Sequence, residues 1–353
     1  MQGLNERLKK ASEFRLFWPL VGLALVFCFN LIFVKDFFSI EMKDGHLYGR
    51  IIDIVKNAGC YMLLAIGMTL VVATGGIDIS VGSMCAISGA VMAAFVGGEL
   101  SGVPHHSYAI AITAALAVSL VLGLWNGFLV AKLNIQPVVA TLILMVAGRG
   151  IAQLVTKGQI ITVYYKPYGY LGSFMPGVIL PTSIFIVAIV LIATMITVKK
   201  TALGLFIQSA GINRTATRFS GIKVEKLIYM VYGFSGLCAG IAGLVISSMV
   251  KSADGNNAGL GYEMDAILAV ALGGNSMNGG KFSIMGSIIG ALIIQSLTTT
   301  MYAIGVSPQV LPVVKAIVVI AICLIQSEEL HRRVFGLIRK DRRLQHEQTT
   351  IKL

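Results

Sequence analysis

Residues 16–34 form a run of 19 without one charged side chain, and nine further apolar runs follow, at 58–73, 79–97, 107–131, 137–156, 178–198, 227–250, 266–272, 283–304 and 309–325. A bilayer core of about 30 Å is crossed by about 20 helical residues, whereas a barrel strand needs only about 10. In lipid the backbone must bond to itself, so runs of this length predict helices. The expectation is an all-α membrane protein of about ten transmembrane helices. Several runs are short, 266–272 most of all, so some segments are expected to be interrupted and to borrow flanking residues.

Composition points the same way. Hydrophobic residues make up 56% of the 353 and charged residues only 12%, more apolar surface than one soluble core hides. With 39 glycines, close helix packing is expected rather than an alternating barrel pattern. The net charge of +12 does not point to nucleic acid, because the basic residues sit in short loops and at the termini with no aromatic RNA-binding motif beside them. Cys28, Cys60, Cys85, Cys238 and Cys323 fall in apolar runs without a CxxC, the usage of small hydrophobes rather than of a disulfide or zinc framework.

Charge orients the chain. If all ten runs cross, 1–15, 132–136, 199–226, 273–282 and 326–353 share one side with 19 Lys and Arg, against 7 in the opposite loops. The positive-inside bias then makes the first set cytoplasmic. The organisation expected is a cytoplasmic N-terminus (1–15), a transmembrane domain (16–325) that includes a cytoplasmic loop (199–226), and a basic cytoplasmic tail (326–353). The first run is too long for a signal-peptide core and no small-residue cleavage site follows it, so it is read as an uncleaved span.

The loop 199–226 is amphipathic. Ala210 and Gly211 are expected to interrupt it, Asn213 to cap a short helix from Arg214 to Ser220, and Gly221 to end that helix. Two readings stand at this point: a helix that transmits force from a soluble partner, or an interfacial helix held on anionic lipid by six basic residues. A weak internal echo links Gly75-Gly76, followed by Ser80, Gly82 and Ser83, to Gly273-Gly274, followed by Ser276, Gly279 and Gly280. Paired broken helices are a known plan for a transport path, and glycine pairs also recur by chance in such chains.

Four ordered motifs carry a family resemblance. Thr201, Gly204, Gly211, Asn213, Ala216 and Gly221 resemble the coupling loop of permease subunits of ribose-type sugar ABC importers. Thr74 to Ser83 (TGGIDISVGS) resembles that family's GGIDLSVGS signature. Gln136 to Leu142 with Arg149-Gly150 resembles its P-F-I-A-T-L…R-G stretch, and Asp265 to Val270 with Gly273-Gly274 and Gly279-Gly280 resembles its late D-A-I-A-A-V…GG…GG motif. Within the family, Leu144 to Gly150 and Asn256 to Leu260 look like the galactofuranose-importer permeases, although Gly255 stands where Ala is expected.

The resemblance implies a ribose/vitamin-B12-type ABC importer permease architecture in the bacterial inner membrane. It implies a second copy or a homologous permease, an ABC ATPase that carries ATP and Mg, and a periplasmic sugar-binding protein. Gly204, Gly211, Asn213, Arg214, Ala216 and Gly221 become the residues expected to couple to the ATPase. This chain binds no cofactor of its own on that reading: its nearest approach to a phosphate loop, 275–282, has Asn275 and Phe282 where a glycine and a hydroxyl are needed.

Polar groups at membrane depth are the candidates for the path: Asp78, Asn126, Gln136, Thr141, Gln153 and Gln295. Each has a structural alternative, helix capping for Asp78 and interhelical hydrogen bonding for the rest. Arg149 and Lys315 are read as structural charges, Trp125 as an interfacial anchor, and His105 and His106 as lacking the acidic or cysteine neighbours of a metal site. The outer segment 251–265, with Asn256, Asn257 and Glu263, is the expected docking surface for the binding protein. An ion-coupled secondary transporter is the rival function, thinly supported by three isolated intramembrane charges.

Overall fold

A computed structural model describes residues 16–43, 45–97 and 104–326. They fall into two compact units, one ending at Gly305 and one beginning at Val306. The first contains helices α1 (Phe17–Phe33), α2 (Arg50–Ala73), α3 (Val81–Val96), α4 (Tyr108–Ala131), α5 (Pro137–Thr156), α6 (Thr182–Lys200), α7 (Leu203–Ile212), α8 (Arg214–Phe219), α9 (Val224–Val250), α10 (Tyr262–Leu272) and α11 (Ile284–Ala303). The second contains α12 (Leu311–Gln326). A 3-10 helix (Lys166–Tyr170) and two short antiparallel ribbons, β1 (Glu41–Lys43) with β2 (His46–Tyr48) and β3 (Ile161–Thr162) with β4 (Ser252–Ala253), complete the elements of the described residues.

Six of these helices, α2, α4, α5, α6, α9 and α11, are long and apolar enough to cross a membrane. α2 and α9 are the axis of the first unit, and α3, α4 and α11 pack around them. Small residues permit the close crossing of α4 and α9: a Cβ placed on Gly236 would meet the Ser119 carbonyl oxygen at 2.4 Å. α4, α5 and α6 bury one side only and turn Val121, Leu124, Val139, Val146, Ile189 and Ile192 outward. α1 is tied to α11 by buried Asn30, which accepts from Thr300 Oγ1 at 2.9 Å. Cys60, Cys85 and Cys238 are buried as expected, whereas Cys28 faces outward.

The interruptions lie at α3 and α10. At 16 and 11 residues they measure about 24 Å and about 17 Å, less than a bilayer core. The chain leaves the end of α2, turns at Gly75 (φ +76°) and folds back into the bundle before α3 begins. This explains how Asp78 reaches Ser235, eleven residues into α9 and so about 16 Å from its start. α10 starts beside the beginning of α3, where Gly82 is flanked by the Glu263 carboxylate and the Gly259 carbonyl. The segments 1–15 and 327–353, expected to be cytoplasmic, lie outside the described residues.

Candidate functional site

The loop 199–226 folds as a helix pair. Asn213 Oδ1 accepts from the Ala216 N–H at 3.0 Å and so caps α8 as its residue type predicts, and Gly221 follows the helix at φ +82°. α7, however, runs unbroken through Ala210 and Gly211, and the break falls at extended Asn213. Gly211 serves packing instead: its Cα lies against the Ala73 carbonyl oxygen and the Gly280 N–H, which are bonded to each other at 2.9 Å. A Cβ there would meet that oxygen at 1.9 Å. Arg214 Nη2 donates to the Thr74 carbonyl at 3.1 Å. The helix pair thus grips both glycine-rich turns, 74–80 and 273–283, while Gly204 packs on Val198 at the end of α6 and exposed Ala216 presents only a methyl group. On the free side, Phe219 is 88% and Ile212 70% exposed.

From Thr74 the chain leads directly into a buried polar cluster. Asp78 has no exposed surface. Its Oδ1 accepts from the Ser80 N–H at 3.1 Å and from Ser80 Oγ at 2.6 Å, and its Oδ2 accepts from Ser235 Oγ at 2.9 Å. Asn126 Nδ2 donates to Ser80 Oγ at 2.8 Å, and Thr141 Oγ1 receives the Ile79 N–H at 3.2 Å. A carboxylate at this depth is therefore surrounded by neutral donors, which offset part of its desolvation cost. Ser80 stands at the N-cap of α3, its carbonyl accepting from the Met84 N–H at 3.0 Å but its side chain making no cap bond, so the carboxylate secures the approach to the helix rather than its first turn.

Three of the six path candidates, Asp78, Asn126 and Thr141, meet here. The other three scatter: Gln136 is exposed at the start of α5, Gln153 reaches Asn256 at the opposite end of the unit, and Gln295 bonds Thr299 within α11. Ser80 and Ser235 complete the cluster. Ser80 lies inside the signature and was legible there; Ser235 sits among the small residues of α9 and carried no signal of its own.

Asp254 organises the third site, residues 254–261. Its carboxylate accepts from the N–H groups of Asn256 and Asn257 and from the Asn257 amide. Burial alone would raise this carboxyl's pKa; the three hydrogen bonds outweigh it and hold the group below its usual range. Asn256 and Asn257 line a pocket of about 220 Å³ with Thr156, Gln159 and Asp254. Glu263, expected on the same outer surface, is not there: it is 6% exposed and packs against Gly82, because α10 carries it inward. Arg149 Nη1 donates to the carbonyls of Asn256 and Ala258. Trp125 is half exposed and stacks on Phe128.

Residues 50–323 match the family described as "Branched-chain amino acid transport system / permease component". The chain belongs to this permease family. It is 44% identical over 346 residues to the galactofuranose transporter permease protein YtfT of Escherichia coli (strain K12), covering 97% of this chain and 99% of that one. It is 37% identical over 343 residues to the fructose import permease protein FruF of Bifidobacterium longum (strain NCC 2705), covering 95% and 94%. Over 285 residues it is 38% identical to the ribose import permease protein RbsC of Escherichia coli (strain K12), covering 79% and 86%. No solved structure matches the chain. As a multi-pass membrane permease, a family member of this kind is a transport component, not itself a catalyst.

Proposed function

We propose that the chain is the membrane-spanning subunit of an ATP-driven importer that moves galactofuranose or a related monosaccharide, delivered by a periplasmic binding protein, across the bacterial inner membrane. The sugar class is supported by the relatives, which carry galactofuranose, fructose or ribose in their names. On this reading the protein crosses ten times, with α3 and α10 as its interrupted members and both termini in the cytoplasm. It pairs with a second copy or a homologous permease, and ATP and Mg belong to a separate ATPase.

The observation that carries the reading is the α7–α8 pair. One side is fixed to Ala73, Thr74 and Gly280; the other presents Phe219, 88% exposed, and Ile212. An exposed aromatic ring on a helix is the type of group that anchors a protein interface. When the ATPase moves α8, Arg214 pulls on the Thr74 carbonyl, and the load passes along 74–80 to Asp78, Ser235 and the start of α3. Such a linkage biases two packings of one bundle, which is what alternating access requires. The outer pocket at Asn256 and Asn257 is the proposed contact of the binding protein, without Glu263.

Replacing Phe219 tests the reading. Phe219→Asp should reduce retention of the ATPase on the purified permease by about 10-fold, as the loss of an interface anchor does, while the permease's thermal midpoint stays put because the side chain is 88% exposed among the described residues. Undiminished retention would leave α8 as a lipid-surface helix.

A further inference from the structure

Arg149 and Glu263 are two charged side chains near the first turn of α3, where Gly148 approaches Ser83 and Glu263 approaches Gly82, and each is incompletely matched. Arg149, half-buried in α5, gives its hydrogen bonds to the carbonyls of Asn256 and Ala258, while the Asp254 carboxylate of the same segment acts on it without a hydrogen bond among the described residues. Glu263 is 6% exposed, and its Oε2 is buried without a hydrogen-bond partner among the described residues. The two charges lie near enough to act on each other, yet among the described residues they form no ion pair. The segment 254–261 contacts the surroundings of both: it takes the Arg149 hydrogen bonds and lies on Gly82, where Glu263 also packs. Its Gly259 carbonyl oxygen rests on Gly82, its Gly255 backbone on Ala152 and Gln153, and its Asn256 side chain is held by Gln153.

A seated segment thus occupies the cation that the buried carboxylate lacks. The positive ends of α3 and α10 make the position bearable for a carboxylate, but no N–H reaches Oε2. Displacing 254–261 would remove the carbonyls from Arg149 and leave guanidinium and carboxylate, in a medium of low polarity, with each other as the best remaining partner.

We propose that Arg149 and Glu263 are a switched pair of positioning residues for transport: apart while 254–261 is seated, joined as a bidentate ion pair when it withdraws, so that the pair stabilises the second packing of the outer half. The inference rests on the alternating-access reading above, but on residues remote from α7–α8. Arg149 bonds carbonyls here, as its reading as a structural charge expects, and the proposal adds that its partner changes during the cycle.

Glu263→Gln separates this from a structural role. An amide is easier to bury than an unpartnered carboxylate, so a merely structural Glu263 predicts a thermal midpoint that is unchanged or higher and normal turnover. A switched pair predicts the same midpoint effect with turnover, read as ATP hydrolysis by the full permease, ATPase and binding-protein assembly in proteoliposomes, reduced about 10-fold or more. Arg149→Gln should give a similar loss, and the double variant should be no worse than either single one, because both remove the same interaction. Arg149→Lys, which keeps the charge, should recover part of the turnover. Normal turnover in Glu263→Gln overturns the proposal; so does a lowered midpoint, and so do losses that multiply in the double variant. Retention of the ATPase by these variants distinguishes this outcome from failure of the α8 reading, since both residues bond or pack on α3 and the segment 254–261 rather than on α7 or α8.

Discussion

The turns 74–80 and 273–283 follow the same plan with different chemistry. Each leaves a helix through a left-handed glycine, Gly75 at φ +76° and Gly274 at φ +75°. Each then places a buried polar residue so that its Oδ1 takes the N–H of a serine at the next helix, Ser80 for Asp78 and Ser283 for Asn275. The two turns thus share a plan in structure, but it pairs Ser80 with Ser283 rather than with the Ser276 that stands opposite it in the sequence echo. Asn275 spends its amide hydrogens locally, on the Val270 carbonyl and Ser287 Oγ, both at 2.9 Å. Asp78 instead reaches Ser235 on α9, and its own turn is held by Arg214. A neutral amide closes one loop upon itself, while the charged counterpart needs donors from elsewhere and so ties its loop to the rest of the bundle. That difference is the reason the proposed coupling runs through 74–80 rather than through 273–283.

The strongest way to break the comparison is to part the two turns. Gly211 fits where they meet, and Gly211→Val would place a Cβ within 1.9 Å of the Ala73 oxygen and 2.5 Å of the Gly280 nitrogen. Backbone atoms cannot rotate away, so the expected cost is about 4 kcal/mol or more. Thermal unfolding of the purified permease should show a large fall in midpoint. A retained midpoint would mean that α7 is not the clasp described above.

Exchanging the two polar residues sharpens the contrast. Asn275→Asp removes both amide donors and sets a carboxylate against the Val270 carbonyl, for an expected loss of about 3 kcal/mol. Asp78→Asn keeps one acceptor oxygen and relieves a buried charge while turning an NH₂ toward the donors, so about 1–2 kcal/mol is expected. Transport should rank them in reverse, with Asp78→Asn the more damaging of the two because it loosens the turn that α8 pulls. Equal transport by the two variants at matched expression would dissolve the distinction between a local and a wired turn.

The sequence made much of this visible. Charge-free runs imply helices because lipid leaves the backbone no other partner, and Asn213 and Gly221 marked the ends of α8 through capping chemistry that is local in sequence. What it could not show follows from the same logic. Gly211 looked like a helix breaker because glycine has low helix propensity, but its missing Cβ is used by Ala73 and Gly280, far away in the chain. Glu263 looked like an outer-loop residue because the apolar run begins only at Ala266, whereas α10 starts at Tyr262, deep enough to bury it. Ser235 could not be told from the other small residues of α9 without knowing that 74–80 turns back inward.

The smallest expected effect tests whether the wiring itself is real. Asn213→Ala removes the acceptor for the Ala216 N–H and should cost α8 about 1 kcal/mol, roughly a 5-fold change in local opening. Hydrogen exchange should therefore quicken at Ala216. If Arg214 transmits that loosening through the Thr74 carbonyl, the Gly75 N–H, bonded to Val72 at 2.8 Å, should quicken as well. The Gly274 N–H makes the equivalent bond to Ala271 at 2.9 Å but lies on the turn that Asn275 closes locally, and it should not change. Equal acceleration at both glycines would show that α8 loosens the whole end of the bundle; acceleration at neither would show that its motion stops at Arg214. Only a response at Gly75 alone fits a force path that runs from α8 through the charged turn to Asp78.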